Sequence, residues 1–475
     1  MREKPQSGFR KYVGPLAAAV GFLSTFLFFQ FAYPYHLIKR EQANLFVYDG
    51  DYIAETYRGM GWLARFIADF LEQFFHLPVA GPLIVALLIT GVGIVVYRIL
   101  RHFLGLWPSL GIAVLVFVWA FLRETGNIYT TRYTVVVLGY LSLILAALQF
   151  RKAWQKALAA VVFLAVGVWA LGSPYHKYYG MLFSKPTVGY ERMIGLDAEV
   201  ARENWDKVLE LSKKDLFTVE ASFCYNLAHA MKGDLGSMMM SHSQGKAYDL
   251  LPPVSIDRTA FSDCLAGEAW YQLGNITVAE QGAIVALQSS PDHTGARYIK
   301  RLAEVNLISG EDAAAQKYLN LLSHTLFYRK WARSRMLGRQ DASVRAALDA
   351  ARANLPVSDF VHQSENPRNV LLSLLDANPS NTVARNYLLC YDMLRYDLDS
   401  FMKDYSAYPV KGRLYNEAVL IWLSQNGLMN EQEIARRGID KSTVDRLGRF
   451  YQNPNAFRDS YWYYYLKALQ AQQSQ

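Results

Sequence analysis

Five apolar stretches crowd into the first 171 residues of this chain, and none of comparable length follows. They run over about 13–33, 79–100, 106–122, 133–150 and 157–171. A bilayer core roughly 30 Å thick takes about 20 apolar residues of helix, with a range near 17–25. Water is absent there, so the backbone must satisfy its own hydrogen bonds, and a helix does this within one segment. The pattern therefore predicts a five-helix transmembrane bundle over residues 1–171. The third and fifth stretches are short, and Trp107 and Trp154 can extend them into the interface. The first is too long for a cleaved signal peptide and lacks a small-residue cleavage site.

Charge turns this pattern into a topology. Of the 49 Lys/Arg, 15 precede residue 172, against 8 of the 41 Asp/Glu. The later part is close to neutral, so the basic balance does not mark a nucleic-acid surface, which needs a basic face on a soluble part. With the N-terminus inside, the cytoplasmic pieces carry Arg2, Lys4, Arg10, Lys11, Arg98, Arg101, Arg151, Lys152 and Lys156 against Glu3 alone. The other loops carry six basic residues against seven acids. Lys/Arg excess marks the cytoplasmic side. An odd number of spans then places everything after 172 outside the cytoplasm.

The first outer loop has structure of its own. Leu63, Phe66, Ile67, Phe70, Leu71 and Phe74 form one helical stripe, with Arg65, Asp69 and Glu72 opposite. This predicts an amphipathic helix over about 61–77, lying in the outer interface or docked on a neighbour. Before it, Asp49 and Asp51 flank a glycine, where paired carboxylates could act as a base or hold a divalent ion. Asp and Gly also simply make turns. Membrane glycosyltransferases that use polyprenyl-linked sugars are similar in one respect, a catalytic carboxylate in the first outer loop. They usually have more spans, and no second motif is visible here. Pro-Tyr-His follows both the first and the fifth stretch, putting His36 and His176 at one interface. They suit an aromatic belt with Pro ending each helix, or a joint site.

After a juxtamembrane linker at 172–184, residues 185–475 read as paired helices without any strand pattern. Glu203-Asn204, Gly233-Asp234, Gly274-Asn275 and Gly310-Glu311 each punctuate two helical stretches. The 36-residue interval from Gly274 to Gly310 is near the 34 of a tetratricopeptide unit. Pro-x-x-Thr-x-Ala-Arg occurs at Pro291 and again at Pro379, where polar residues can cap the next helix. The spacing is irregular, so the expected array is a degenerate helical-repeat solenoid. Stacked helix pairs offer a surface for protein partners. Arg329, Lys330, Arg333, Arg335 and Arg339 cluster around Trp331, either as a solvated face with cation–π support or as a site for an acidic partner. Three cysteines, Cys224, Cys264 and Cys390, follow no metal-ligand spacing. They suit buried small hydrophobes, with a Cys224–Cys264 disulfide as the extracytoplasmic alternative. His229 and His242 flank Met238-Met239-Met240, a run that points in several directions on a helix and so suits packing. No P-loop, GxSxG, HExxH or GxGxxG is present, and nothing implies a cofactor or metal.

Glu41-Gln42, Leu45-Phe46, Tyr48, Phe70-Leu71-Glu72-Gln73-Phe74-Phe75, Asn386-Tyr387-Leu388-Leu389 and Tyr463-Tyr464-Tyr465-Leu466 carry a resemblance over nearly the whole chain. It resembles an uncharacterised family of bacterial inner-membrane proteins, classed as a domain of unknown function. Its members join several N-terminal spans to a tetratricopeptide-like region. The resemblance implies architecture and transfers no catalytic residue. The expectation is an all-α inner-membrane scaffold that binds a protein partner in the cell envelope. The alternative is a transferase acting on lipid-linked sugar through Asp49 or Asp51.

Overall fold

The computed structural model describes residues 8–59, 61–126, 130–171, 188–216, 218–251, 260–290, 293–356 and 367–473. These residues are helical, with no strand among them. They form two compact units, residues 1–191 with 324–329, and residues 192–323 with 330–475. The expected linker at 172–184, and His176 with it, lies outside the described residues.

The first unit contains α1 (Gly8–Leu27), α2 (Pro34–Ala43), α3 (Gly50–Thr56), α4 (Trp62–Glu72), α5 (Ala80–Arg101), α6 (Leu106–Glu124), α7 (Thr130–Ala147) and α8 (Ala153–Leu171). Its core forms around α5, which packs against α1, α6 and α7. Val85, Ile89, Val92 and Val96 line the buried side of α5 and meet Phe29, Ala113 and Ala120. Among the described residues, three helices are long and apolar enough to cross a membrane: Arg10–Ala32, Ala80–Arg101 and Leu106–Glu124. The first ends in a π-helical turn, Phe28–Ala32. Pro34 then opens α2, where its fixed φ suits the first helical position. The proline thus starts a helix as well as ending one.

The amphipathic stripe folds as α4 and a 3₁₀ turn, Gln73–His76. Its faces are distributed in an unusual way. Asp69 and Glu72 are buried, whereas Trp62, Leu63 and Ile67 are exposed. Phe66 and Phe70 pack edge-on against Phe46, at 5.3 and 5.5 Å between centroids.

The second unit begins within α9 (Val188–Ala201). It continues through α10 (Trp205–Ser212), α11 (Val219–Lys232), α12 (Leu235–Met238), α13 (Ala247–Leu250), α14 (Ala260–Leu273), α15 (Ile276–Ser289), α16 (Ala296–Ser309) and α17 (Asp312–Ser323). After α18 (Arg329–Arg333) come α19 (Ala342–Arg352), α20 (Pro367–Ala377), α21 (Thr382–Leu394), α22 (Leu398–Ala407), α23 (Arg413–Gln425), α24 (Glu431–Arg436), α25 (Lys441–Gln452) and α26 (Tyr461–Gln473). Neighbours in sequence pack together, among them α10 with α11, α14 with α15, α16 with α17, and α21 with α22.

One turn joins these pairs repeatedly. Gly233, Gly274 and Gly310 have φ of 80°, 97° and 80°. In each case the next residue donates its N–H to a carbonyl five positions back: Asp234 to His229, Asn275 to Trp270, and Glu311 to Asn306. This closure satisfies the orphan carbonyls of the helix end. Glu203 and Tyr396 make the same turn at φ of 57° and 62°, although each carries a side chain. Asn204 donates to Glu199 there, and Asp397 to Asp392. Between α14 and α15 the backbones nearly touch. A Cβ on Gly282 would lie 2.9 Å from the Gly267 Cα.

Candidate functional site: a buried charge network in the first unit

Charged side chains leave water only when paired, because desolvating an ion costs several kcal/mol. The first unit nevertheless buries Glu41, Asp69, Glu72, Glu124 and Glu191. Each has a partner. Arg40, from α2, donates to Glu124 Oε2 at 2.6 Å and to Thr131 Oγ1 at 3.1 Å. Thr134 donates to the other Glu124 oxygen at 2.6 Å. Arg132, from α7, grips Asp69 through Nε and Nη2 at 3.0 and 2.9 Å. Asp69 also accepts from the Tyr57 hydroxyl at 3.3 Å and lies 3.6 Å from Arg65. Asn44 donates to Glu72 at 3.0 Å. Helices α2, α4, α6 and α7 therefore contribute one continuous polar layer.

Two further carboxylates do positional work. Glu191 accepts the backbone N–H of Tyr35 at 2.6 Å and of His36 at 3.1 Å. Those are orphan donors of the first turn of α2, and a carboxylate there also meets the positive end of the helix dipole. Glu41 accepts from the Tyr328 hydroxyl at 2.7 Å and faces His76 Nδ1 at 3.4 Å. His76 stacks on Phe327 with centroids 4.8 Å apart, and the Tyr48 N–H donates to the His324 carbonyl. The segment 324–329 belongs to this unit, although its sequence neighbours do not.

The titration behaviour follows from burial. His36 is held well below the usual histidine range by desolvation and then by Arg40. Its Nε2–H donates to the Gly126 carbonyl at 2.5 Å, while Nδ1 is buried with no partner. Glu72 is pushed up to about 7 by burial, partly offset by Arg40 and reinforced by Asp69. Glu191 is also raised to about 7 by burial, against its backbone donors. The network thus holds carboxyls able to exchange a proton near neutrality, as in functional sites and structural ion clusters alike.

Other sequence-selected residues lie elsewhere. Asp49 is the N-cap of α3 and accepts the Tyr52 N–H at 2.9 Å. Asp51 is exposed in the first turn of that helix. Arg329 belongs to the first unit, and Lys330, Arg333, Arg335 and Arg339 to the second. Within the second unit Trp331 receives Lys300 Nζ at 5.1 Å and Arg335 at 4.6 Å from its ring. The three cysteines are buried and unpaired. Burial pushes the Cys390 thiol up to about 12, which leaves it a poor nucleophile.

The second unit has its own polar cluster beside the methionine run. Met239 and Met240 are buried. Tyr225 packs between His229 and His242, at 4.4 and 4.9 Å. His229 Nδ1 lies 2.7 Å from Asp234, and His242 Nε2 lies 2.8 Å from Ser222 Oγ. Burial, and then His229, hold His242 down to about 4, so it is neutral. Deeper in this unit, Arg297 binds Asp197 bidentately at 2.6 and 2.9 Å and Glu268 at 3.2 Å.

The sequence pattern marked none of the Arg40, Glu124, Arg132 and Asp69 pairs. The available signal was position. Glu124 and Arg132 flank apolar helices, where ionisable groups are costly and need partners. A family model matches the chain over residues 9–186 and again over 176–468, and its description is "Family of unknown function (DUF6057)". No curated protein and no solved structure matches.

Proposed function

We propose, for a chain that belongs to the DUF6057 family of unknown function, the role of a membrane-anchored helical-repeat scaffold in the bacterial cell envelope. In this reading α7 and α8 join α1, α5 and α6 as five spans of the inner membrane. The exposed apolar side chains support it. Leu16, Val20 and Leu23 on α1, Leu115 on α6, Leu143 on α7 and Leu164 on α8 all face outward. Such a surface is expensive in water and costless in lipid. The exposed Trp62–Leu63–Ile67 face of α4 suits the interface, with its acids turned into the protein. The nearly balanced outer-loop charges are largely consumed in the buried network, and the basic loops are the cytoplasmic ones. The second unit then lies outside the cytoplasm.

The observation that carries the scaffold is the recurrent left-handed turn at Glu203, Gly233, Gly274, Gly310 and Tyr396. It closes successive helix pairs in the manner of a degenerate tetratricopeptide-like array. Such arrays bind protein segments through the surfaces their helices leave exposed. Ile284, Leu337, Leu428 and Tyr451 are exposed apolar positions of the second unit, available to a partner. A photo-crosslinking residue placed at each, in the full chain in living cells, should give a discrete adduct from at least one position. Lysates with no adduct from any of them would refute the scaffold. Asp49→Asn and Asp51→Asn separate it from a lipid-linked-sugar transferase. Partner capture and cellular function survive both changes in a scaffold. Loss of function with capture intact would favour the enzyme.

A further inference from the structure

The first unit holds an apolar groove of about 500 Å³ between α1, α5 and α6. Its floor is made by small residues. The Tyr97 ring packs on Gly14 and the Phe117 ring on Gly21, 3.2 and 3.1 Å from where a Cβ would stand, so α1 comes close to α5 and α6 there. Ala17 and Ala18 continue the same strip of α1. One polar group stands out in the wall. Thr90 is about nine-tenths buried, and its hydroxyl has no partner. A volume of this size is typical of small-molecule sites, which usually fall between about 300 and 1,000 Å³.

The groove runs along three helices that are long and apolar enough to cross a membrane. One end of it is basic. On α1 the groove face includes Val13, Gly14, Ala17 and Ala18, and residues three and four apart share a face. Arg10 and Lys11 extend that face by one turn. On α5 the groove face includes Thr90, Gly93, Ile94 and Tyr97, and Arg98 and Arg101 extend it in the same way. α1 begins and α5 ends at this mouth, which puts the four cations at that end of the two helices, Arg101 donating to the Leu104 carbonyl at 3.3 Å. Arg10, Lys11 and Arg98 are exposed, so their charge is available to a ligand. An apolar slot with a cationic rim has the chemistry of one ligand class, an anionic phospholipid. Its chain would fill the slot and its phosphate meet the rim.

We propose that this groove is a specific site for an anionic phospholipid, with an acyl chain held between α1, α5 and α6 and the headgroup on Arg10, Lys11, Arg98 and Arg101. The site rests on the membrane-spanning reading. Lipid so bound would fix the crossing of α1 on α5, the two helices whose glycine and tyrosine surfaces line the slot. It would also tie the anchor to membrane regions rich in negative lipid.

Full-length protein in lipid nanodiscs tests this. The probes are phosphatidylglycerol and phosphatidylcholine, each with a photoreactive acyl chain. Phosphatidylglycerol should label α1, α5 and α6 at the groove, at least tenfold above phosphatidylcholine. Arg98→Gln with Arg101→Gln leaves the slot intact and removes roughly two cationic contacts, which should bring labelling by the two lipids to within about threefold of each other. Ala17→Phe fills the slot and should abolish groove labelling. Equal labelling by both lipids would overturn the proposal. So would labelling spread over the exposed faces of α6 and α7, or a protein–protein crosslink that occupies the groove in place of lipid. Release of the protein from membranes by alkaline wash would instead contradict the membrane reading itself.

Discussion

Glu72→Gln should stabilise the protein strongly at pH 8 and only slightly at pH 5. Glu72 is buried, and its carboxyl is raised from 4.5 to about 7. The folded state therefore holds a proton that the unfolded chain releases between those values. Stability from this group is full below pH 4.5 and falls as pH rises towards 7. The difference of about 2.5 units corresponds to roughly 3 kcal/mol at 1.36 kcal/mol per unit. Gln resembles the neutral acid in shape and can still accept from Asn44, which donates to Glu72 at 3.0 Å. The variant therefore escapes the cost of an ionised carboxylate without losing its contact. At about 2–4 °C per kcal/mol, the midpoint gain at pH 8 should approach 10 °C. Thermal unfolding of the full chain in detergent micelles, run for both proteins from pH 5 to pH 8.5, measures it. Glu191 titrates in the same window. The difference between the two proteins at each pH isolates Glu72. A variant that loses stability equally at pH 5 and pH 8 would refute the reasoning. Glu72 would then be a paired anion that the fold requires.

Three further outcomes follow from the second unit. Arg297→Met leaves Asp197 and Glu268 buried without their shared cation and should cost about 3–5 kcal/mol by denaturant unfolding. Gly282→Ala forces a methyl into the 2.9 Å approach of α14 and α15 and should cost about 1–3 kcal/mol, read as a lower midpoint. Glu203→Gly relieves a left-handed residue that carries a side chain, and should raise stability by about 1 kcal/mol despite losing the exposed bond from Gln272.

Local features were the legible ones. Gly233, Gly274 and Gly310 stood out in the sequence because a left-handed turn strongly favours glycine, and all three adopt it. Tyr396 makes the same turn with no such mark, and its ring stacks on Tyr464 at 5.3 Å. Asn381 caps α21 by accepting from Ala384, as the Pro379 motif implies. At the counterpart motif the expected polar cap does not form, since the N-cap of α16 is Gly295 with no side-chain cap bond, although Ala296 does open the helix. The stripe of α4 was visible, but not which side turns inward. Periodicity reports two faces, and burial of the charged one depends on cations from α2 and α7 far along the chain. The same holds for residues 324–329 and for Glu191. Their partners are Tyr48, Glu41 and the first turn of α2, and no local pattern encodes a contact across such sequence distance. The helices Arg10–Ala32, Ala80–Arg101 and Leu106–Glu124 appear where the hydropathy of the sequence put them.

The proposed five-span topology is tested most directly by reporter fusions. A reporter active only outside the cytoplasm, fused after Gln475, should be active, and the same reporter fused in the loop after Arg101 should be silent. Five spans with a cytoplasmic N-terminus require both results. Activity after Arg101, or silence after Gln475 alongside a working cytoplasmic reporter at that position, would contradict the topology and the envelope scaffold built on it.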